Sequence, residues 1–178
     1  MRYVALLRGV NVGKSARVPM KDLKALLERL GVSDVVTYLN SGNAVFSSTM
    51  SVLDLTSVVG DEIEQAFGAK IPTLIKTSAE MIAIAESIPV EWGNGEGEQT
   101  YVAYLFSDVD EPDLVSELPV RTEFMSIFYT PGAIVWNIKR EDYNRSRITK
   151  LAGHSAYARM TTRNVNTARM LASLCAES

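Results

Sequence analysis

The spacing of apolar residues changes several times along the chain, and each change marks a new element. In "RYVALLRG" the apolar run from Val4 to Leu7 is unbroken, which predicts a first strand buried on both faces. In "VPMKDLKALLERLG" leucines 23, 26, 27 and 30 recur at helical spacing, with Pro19 suited to the first turn and Gly31 to the position just past the end. "DVVTYLNSGNAVFSS" has two β-rich runs around Asn-Ser-Gly-Asn, residues that tolerate positive φ, and reads as a hairpin. Val52, Leu55, Val58, Val59, Ile63 and Phe67 line a second helix ending near Gly68, and "IPTLIKT" is a fourth strand.

Strands at 2–8, 35–39, 44–48 and 72–76 with two intervening helices follow the ferredoxin-like order. A right-handed crossover sets the first two strands parallel, with the third antiparallel between them. The end of strand one then shares a sheet edge with the second-to-third hairpin. Further on, "SAEMIAIAESIP" is a helix starting at Ser78 and closed by Pro89, and the glycine-rich "VEWGNGEGEQ" is a linker. "TYVAYLFS" is a strand, "EPDLVSEL" a short helix, and "EFMSIFYTPGAIVWNIK" a hairpin turning at Pro131-Gly132. From about Ser146 the chain reads as helical, with a break around "RMTTRN". Residues Thr161 to Asn164 offer N-caps for a last helix, "VNTARMLASLCA". The fold class is α+β: a ferredoxin-like βαββαβ half over 1–88, a linker over 89–99, and a related smaller α+β half with C-terminal helices over 100–178.

Composition changes this picture little. The 178 residues suffice for one sizeable domain or two small halves, and no apolar run approaches the roughly 20 residues of a membrane helix. The apolar N-terminus is better explained as a strand than as a signal peptide. Cys175 is the single cysteine, so no intrachain disulfide forms and the chain reads as cytoplasmic. With one histidine, His154, no structural zinc site is expected, and the sequence calls for neither metal nor cofactor. A net charge of −3 and a pI near 5.3 disfavour wholesale nucleic-acid binding. Nothing in the sequence indicates an oligomeric state.

The first loop, "LLRGVNVGKSARVP", ends like a phosphate-binding P-loop in Gly-Lys-Ser. A P-loop has its first glycine five residues before the second, and here Arg8 occupies that position, with Gly9 one place late. Ser15 to Val18 precede a proline, which disfavours helix, so the anion would lose the helix N-terminus that normally faces it. The chain is therefore not expected to be a P-loop NTPase, and Asp108 is not expected to be its magnesium carboxylate. A different site follows from topology. Arg8, Asn11 and Gly13 on the first loop share an edge with Asn40, Ser41 and Asn43 on the hairpin. Such a cluster suits a small anionic ligand. Arg163 and Asn164, at the expected start of the last helix, would complete the site from the second half.

Other features read as structural. His154 suits a surface or capping role, Cys175 packing, and "DVDEPD" a helix start rather than a calcium loop. Arg140, Arg145, Arg147, Lys150, Arg159, Arg163 and Arg169 form a basic C-terminal stretch. That stretch, with Tyr3 and Phe46 on central strands, motivates an alternative RNA- or DNA-binding reading. A third reading is a protein-interaction domain that pairs through its second sheet.

"RYVALLRGVNVG…VPM", "TYLNSGNAVFSS" and "TTRNVNT" together resemble the signature blocks of a bacterial family of uncharacterised proteins, the domain-of-unknown-function family numbered sixteen-ninety-seven. The blocks cover Arg8, Gly9, Asn11 and Gly13, then Ser41, Gly42 and Asn43, then Thr161 to Thr167. The weaker block "RSRIT" covers Arg145 to Thr149. The resemblance implies an α+β fold with ferredoxin-like character and brings no activity, cofactor or catalytic residue. This chain has Lys14 where the family usually has a second glycine, which creates the Gly-Lys-Ser. It has Arg147 where Lys is usual, and Val165 where Trp is usual, so a stacking role at that position is not carried over.

Overall fold

A computed structural model of the chain describes residues 1–177. It contains two four-stranded antiparallel sheets and divides into two compact units. The first comprises Met1–Ile82 with the chain from Leu171 on; the second is Ala83–Met170.

The first sheet is built from β1 (Arg2–Leu7), β2 (Ser33–Thr37), β3 (Asn43–Ser47) and β4 (Thr73–Thr77) in the order β2-β3-β1-β4. This is the expected ferredoxin-like arrangement, with β3 antiparallel to both β1 and β2. Helices α1 (Met20–Arg29) and α2 (Val52–Phe67) pack on one face. There Tyr3, Ala5, Leu7, Ala44 and Phe46 meet Leu23, Leu27, Leu55 and Ile63 in one core. Val4, Leu6 and Val45, which alternate onto the other face, are equally inaccessible. The unbroken apolar run of β1 is thus accounted for.

Element ends follow capping chemistry. Ser51 Oγ accepts the Asp54 N–H at the start of α2, and Gly68 closes that helix at φ 66°. Pro19 is the residue before α1 rather than part of its first turn. Helix α3 (Ser78–Ser87) starts at Ser78, as expected, with Thr77 as its cap. Thr77 Oγ1 accepts the Glu80 N–H at 3.2 Å, and Glu80 accepts the Thr77 N–H at 2.8 Å. Strand β2 begins two residues before the expected 35–39 and stops at Thr37. Its register shifts between Ser33 and Val36, where Asp34 has φ 53°, and Leu39 at φ 55° ends the extended backbone.

The second sheet repeats the plan. Strands β5 (Glu98–Leu105), β6 (Ser126–Thr130), β7 (Ala133–Lys139) and β8 (Met160–Asn164) are ordered β6-β7-β5-β8. Helix α4 (Leu114–Glu117) stands where α1 does, and α5 (Val165–Ala176) follows β8 as α3 follows β4. The β6–β7 hairpin turns at Pro131-Gly132, with Gly132 at φ 87°. Two expectations for this region are corrected. The stretch from about Ser146 to Arg159 forms short 3₁₀ turns, Ile148–Gly153 and Ser155–Arg159, not the expected helix; another such turn precedes it at Arg140–Asp142, and Arg147 has φ 57°. "RMTTRN" is not a break between helices, because Met160–Asn164 is the edge strand β8, paired with β5.

Gly42 is the glycine of the first unit with no room for a side chain. Its φ is 82°, and a Cβ there would lie 2.6 Å from Leu7 Cβ and 2.9 Å from Val10 Cγ2. Gly42→Ala should therefore cost both backbone strain and overpacking, together about 2–5 kcal/mol. Gly13, at φ 52° with no atom near its would-be Cβ, should cost only about 1 kcal/mol on the same change. Urea denaturation of the two variants checks the contrast, and equal losses would contradict it.

Cys175 is buried on α5, and burial pushes its thiol up to about 11. At pH 8 in the native protein it should react with a disulfide reagent roughly 100-fold or more slowly than in denaturant. Equal rates in the two conditions would show the α5 end to be open.

Candidate functional site

The loop from Arg8 to Pro19 leaves β1 through a series of left-handed residues: Gly9 at φ 65°, Asn11 at 59° and Gly13 at 52°. Non-glycine residues adopt this region uncommonly, and asparagine does so more readily than most. The loop is closed on itself. Asn11 N–H donates to Ala16 O at 2.9 Å, while Ser15 N–H and Val12 N–H complete a small turn through Val12 O and Ser15 Oγ.

The Asn11 side chain does more. Its Oδ1 accepts the Val18 N–H at 2.8 Å, and its Nδ2 donates to Val18 O at 2.8 Å and to Asn40 O at 2.7 Å. The first two bonds join the ends of the loop, and the third ties it to the β2–β3 hairpin. Both amide hydrogens are used within the protein, so Asn11 acts on any ligand through the loop it holds.

The hairpin is organised in the same way. Asn43, fully buried on β3, donates to Tyr38 O at 2.9 Å and to Ser41 Oγ at 2.8 Å. Leu7 N–H donates to Gly42 O at 2.8 Å, and Arg8 N–H to Pro72 O at 2.9 Å. Arg8, Asn11, Asn40, Ser41 and Asn43 therefore belong to one edge of the first unit. Direct side-chain bonds join Asn11 to Asn40 and Asn43 to Ser41. Gly13 is exposed at the loop tip, and its carbonyl accepts from Arg17 Nη2 at 3.1 Å.

Between loop and hairpin is a hollow of about 300 Å³ lined by Asn11, Arg17, Val18, Pro19 and Asn40. Pro19 stands at the head of α1, whose N-terminus carries no side-chain cap. The first turn of a helix has free N–H groups and a positive dipole end. Arg8, Lys14 and Arg17 fall in the loop with no Asp or Glu among them, and the first turn of α1 adds Lys21 and Asp22. Arg17 was not singled out from sequence. The signal for it was this run of cations without acids. Lys14-Ser15 lacks P-loop geometry, because α1 begins at Met20 rather than at Ser15.

Arg163 and Asn164 lie in the second unit. Arg163 is on β8, not at a helix start. It is buried and donates from Nη1 to Thr161 Oγ1 at 2.8 Å and to Thr162 O at 3.0 Å. Burial lowers its pKa to about 10, so it remains charged at neutral pH. Asn164 Oδ1 accepts the Thr167 N–H at 2.9 Å and caps α5. Val165 is wholly buried.

The basic stretch is largely committed to internal contacts. Arg159 pairs with Asp108 at 2.9 Å over the Phe106 ring. Its hydrogen bonds hold that carboxyl below the usual range. Arg145 pairs with Asp142 and covers Phe124, Arg140 donates to Gly95 O, and Arg169 to Pro89 O. His154 Nδ1 accepts the Ala156 N–H at a 3₁₀ turn. Tyr3 and Phe46 are 4% and 0% exposed, which removes them as a platform for stacked bases. Among the described residues no group of His, Cys, Asp or Glu has the arrangement of a metal site, and no helix is long and apolar enough to cross a membrane.

The conserved bacterial protein SP0830 from Streptococcus pneumoniae has a similar structure. Its TM-score is 0.85 at 22% identity, over 98% of each chain, a likeness of fold. An aspartate kinase from Synechocystis aligns at TM-score 0.25 and 12% identity over 99% of this chain and 48% of that one, too poorly to carry an argument. No protein of curated function matches the sequence. The model of one family, described as a protein of unknown function, matches residues 1–136, and the chain accordingly belongs to that family, DUF1697.

Proposed function

We propose that the first unit is a binding module for a small anion, a phosphate or carboxylate, held at the edge between the Arg8–Pro19 loop and the β2–β3 hairpin. The observation that supports this is the hollow of about 300 Å³ at the uncapped start of α1, with Arg17 in its wall. Arg8 and Lys14 add positive charge on the same loop. Asn11, Asn40, Ser41 and Asn43 hold the two loops in position by bonding to the backbone and to each other, so the backbone needs no reordering on binding. Leu39, exposed at φ 55° on the hairpin, is a strained residue of the kind that clusters at ligand sites. A lone cysteine in a chain of 178 residues supports a cytoplasmic setting.

The test is thermal unfolding in inorganic phosphate and in citrate, against chloride at matched ionic strength. A bound anion stabilises by mass action, about 2.7 kcal/mol at 100 times its dissociation constant. Arg17 is exposed and makes one hydrogen bond, to Gly13 O. Arg17→Ala should leave the melting temperature in chloride within about 2 °C of the parent and remove the anion-specific increase. An increase no larger than in chloride, or one that survives Arg17→Ala, would refute the proposal.

A further inference from the structure

The second unit contains a cavity that the anion site does not involve. In the first unit the sheet face is covered by α1 and α2. In the second, the segment that stands where α2 does is a run of 3₁₀ turns, and these roof the sheet less completely. About 260 Å³ remains open between the roof residues Ile148 and Leu151 and a floor made by β5, β7 and β8.

The floor is unusual in its chemistry. Tyr101 of β5 and Trp136 of β7 face each other in register, with ring centroids 6.1 Å apart and planes only 28° from parallel. The two rings are stacked on one another, Trp136 5% exposed beneath the more accessible Tyr101, and both line the cavity. Beside them Gln99 is 8% exposed, and its amide makes no hydrogen bond to any described residue. The amide opens onto the cavity, where its donor and acceptor are within reach of a molecule from outside. Thr162, on β8, adds a hydroxyl with no protein partner among the described residues. Among the described residues no charged side chain lines the cavity. Tyr143, 38% exposed, also lines the cavity.

We propose that this cavity binds a small, uncharged, planar heteroaromatic molecule of nucleobase size with an amide-like hydrogen-bonding edge. The ring would lie against Tyr101 and Trp136, and the edge would pair with the donor and acceptor of the Gln99 amide. The lack of any charge among the described lining residues favours an uncharged ligand over an ionic one. The volume falls just below the roughly 300–1,000 Å³ of drug-sized sites, which fits one ring system and not a dinucleotide.

The experiment uses the fluorescence of Trp136 in the full chain, with the other tryptophan removed as Trp92→Phe. The probes are uracil, hypoxanthine and nicotinamide, with toluene as an apolar control and benzoate as a charged one. At least one of the three amide-edged rings should quench Trp136 saturably at or below millimolar concentration, and more tightly than either control. Gln99→Leu should weaken that ring by about tenfold or more, the effect of losing a buried hydrogen bond, while binding toluene as well as before. The melting temperature of Gln99→Leu without ligand should be unchanged or higher, because the variant removes an unpaired amide. No quenching by any of the three rings would overturn the proposal, as would tighter binding of toluene or benzoate, or affinity unaltered by Gln99→Leu. A clear fall in the variant's melting temperature, or its failure to fold, would also overturn it by showing Gln99 to be structural.

Discussion

The Asn11 carboxamide holds the loop after β1 in its shape. A carboxamide has two N–H donors and a carbonyl acceptor, and here each is used: twice on Val18, once on Asn40. This closes a loop whose own backbone bonds are few and fastens it to the hairpin on the same edge. The arrangement requires Asn11 at φ 59°, a conformation that most other side chains resist. The approach of Gly42 to Leu7 on the next strand is a matching requirement. The hollow, the position of Arg17 and the open head of α1 all depend on these contacts.

The two units show how one topology can produce different surfaces. Each orders its strands in the same way, and each ends with a helix after the edge strand. In the first, Leu55, Val59 and Ile63 on a long α2 seal the sheet face, and polar interest is confined to the loop edge. In the second, 3₁₀ turns interrupted by Arg147 cover the corresponding face, and an aromatic floor is left partly open. Poorer hydrogen-bond geometry and short runs are characteristic of 3₁₀ structure, so it packs over a sheet with gaps where an α-helix would not.

Where a signal is local, it was legible from the residues. The Val4–Leu7 run, the leucine stripe before Gly31 and the Asn-Ser-Gly-Asn turn were enough to assemble the first sheet and to bring Arg8 and the hairpin to one edge. The errors occurred where two structures share a pattern. Ile148 and Leu151 are three apart, a spacing that suits a 3₁₀ turn as well as an α-helix, so the chain from about Ser146 reads as helical. Thr161 and Thr162 are good cap residues and also good strand residues. Only pairing with β5 decides between these, and it makes Arg163 a buried strand residue instead of a helix-start cation. The role of Asn11 was hidden for a similar reason. An asparagine among glycines suggests a turn or a ligand contact, and its actual partners, Val18 and Asn40, are set by tertiary structure. Family membership adds no chemistry, so the site rests on geometry alone.

Native-state hydrogen exchange at individual amides tests most directly whether Asn11 builds this edge. Val18 N–H has no backbone partner in the loop; it donates to Asn11 Oδ1. The account predicts that Val18 is well protected in the parent protein. In Asn11→Ala it should exchange at least tenfold faster, as expected on loss of a hydrogen bond of about 1–1.5 kcal/mol or more, while amides at the centre of β1 keep their protection. A Val18 amide that exchanges at the rate of an unstructured chain in the parent, or one equally protected without the Asn11 side chain, would contradict it.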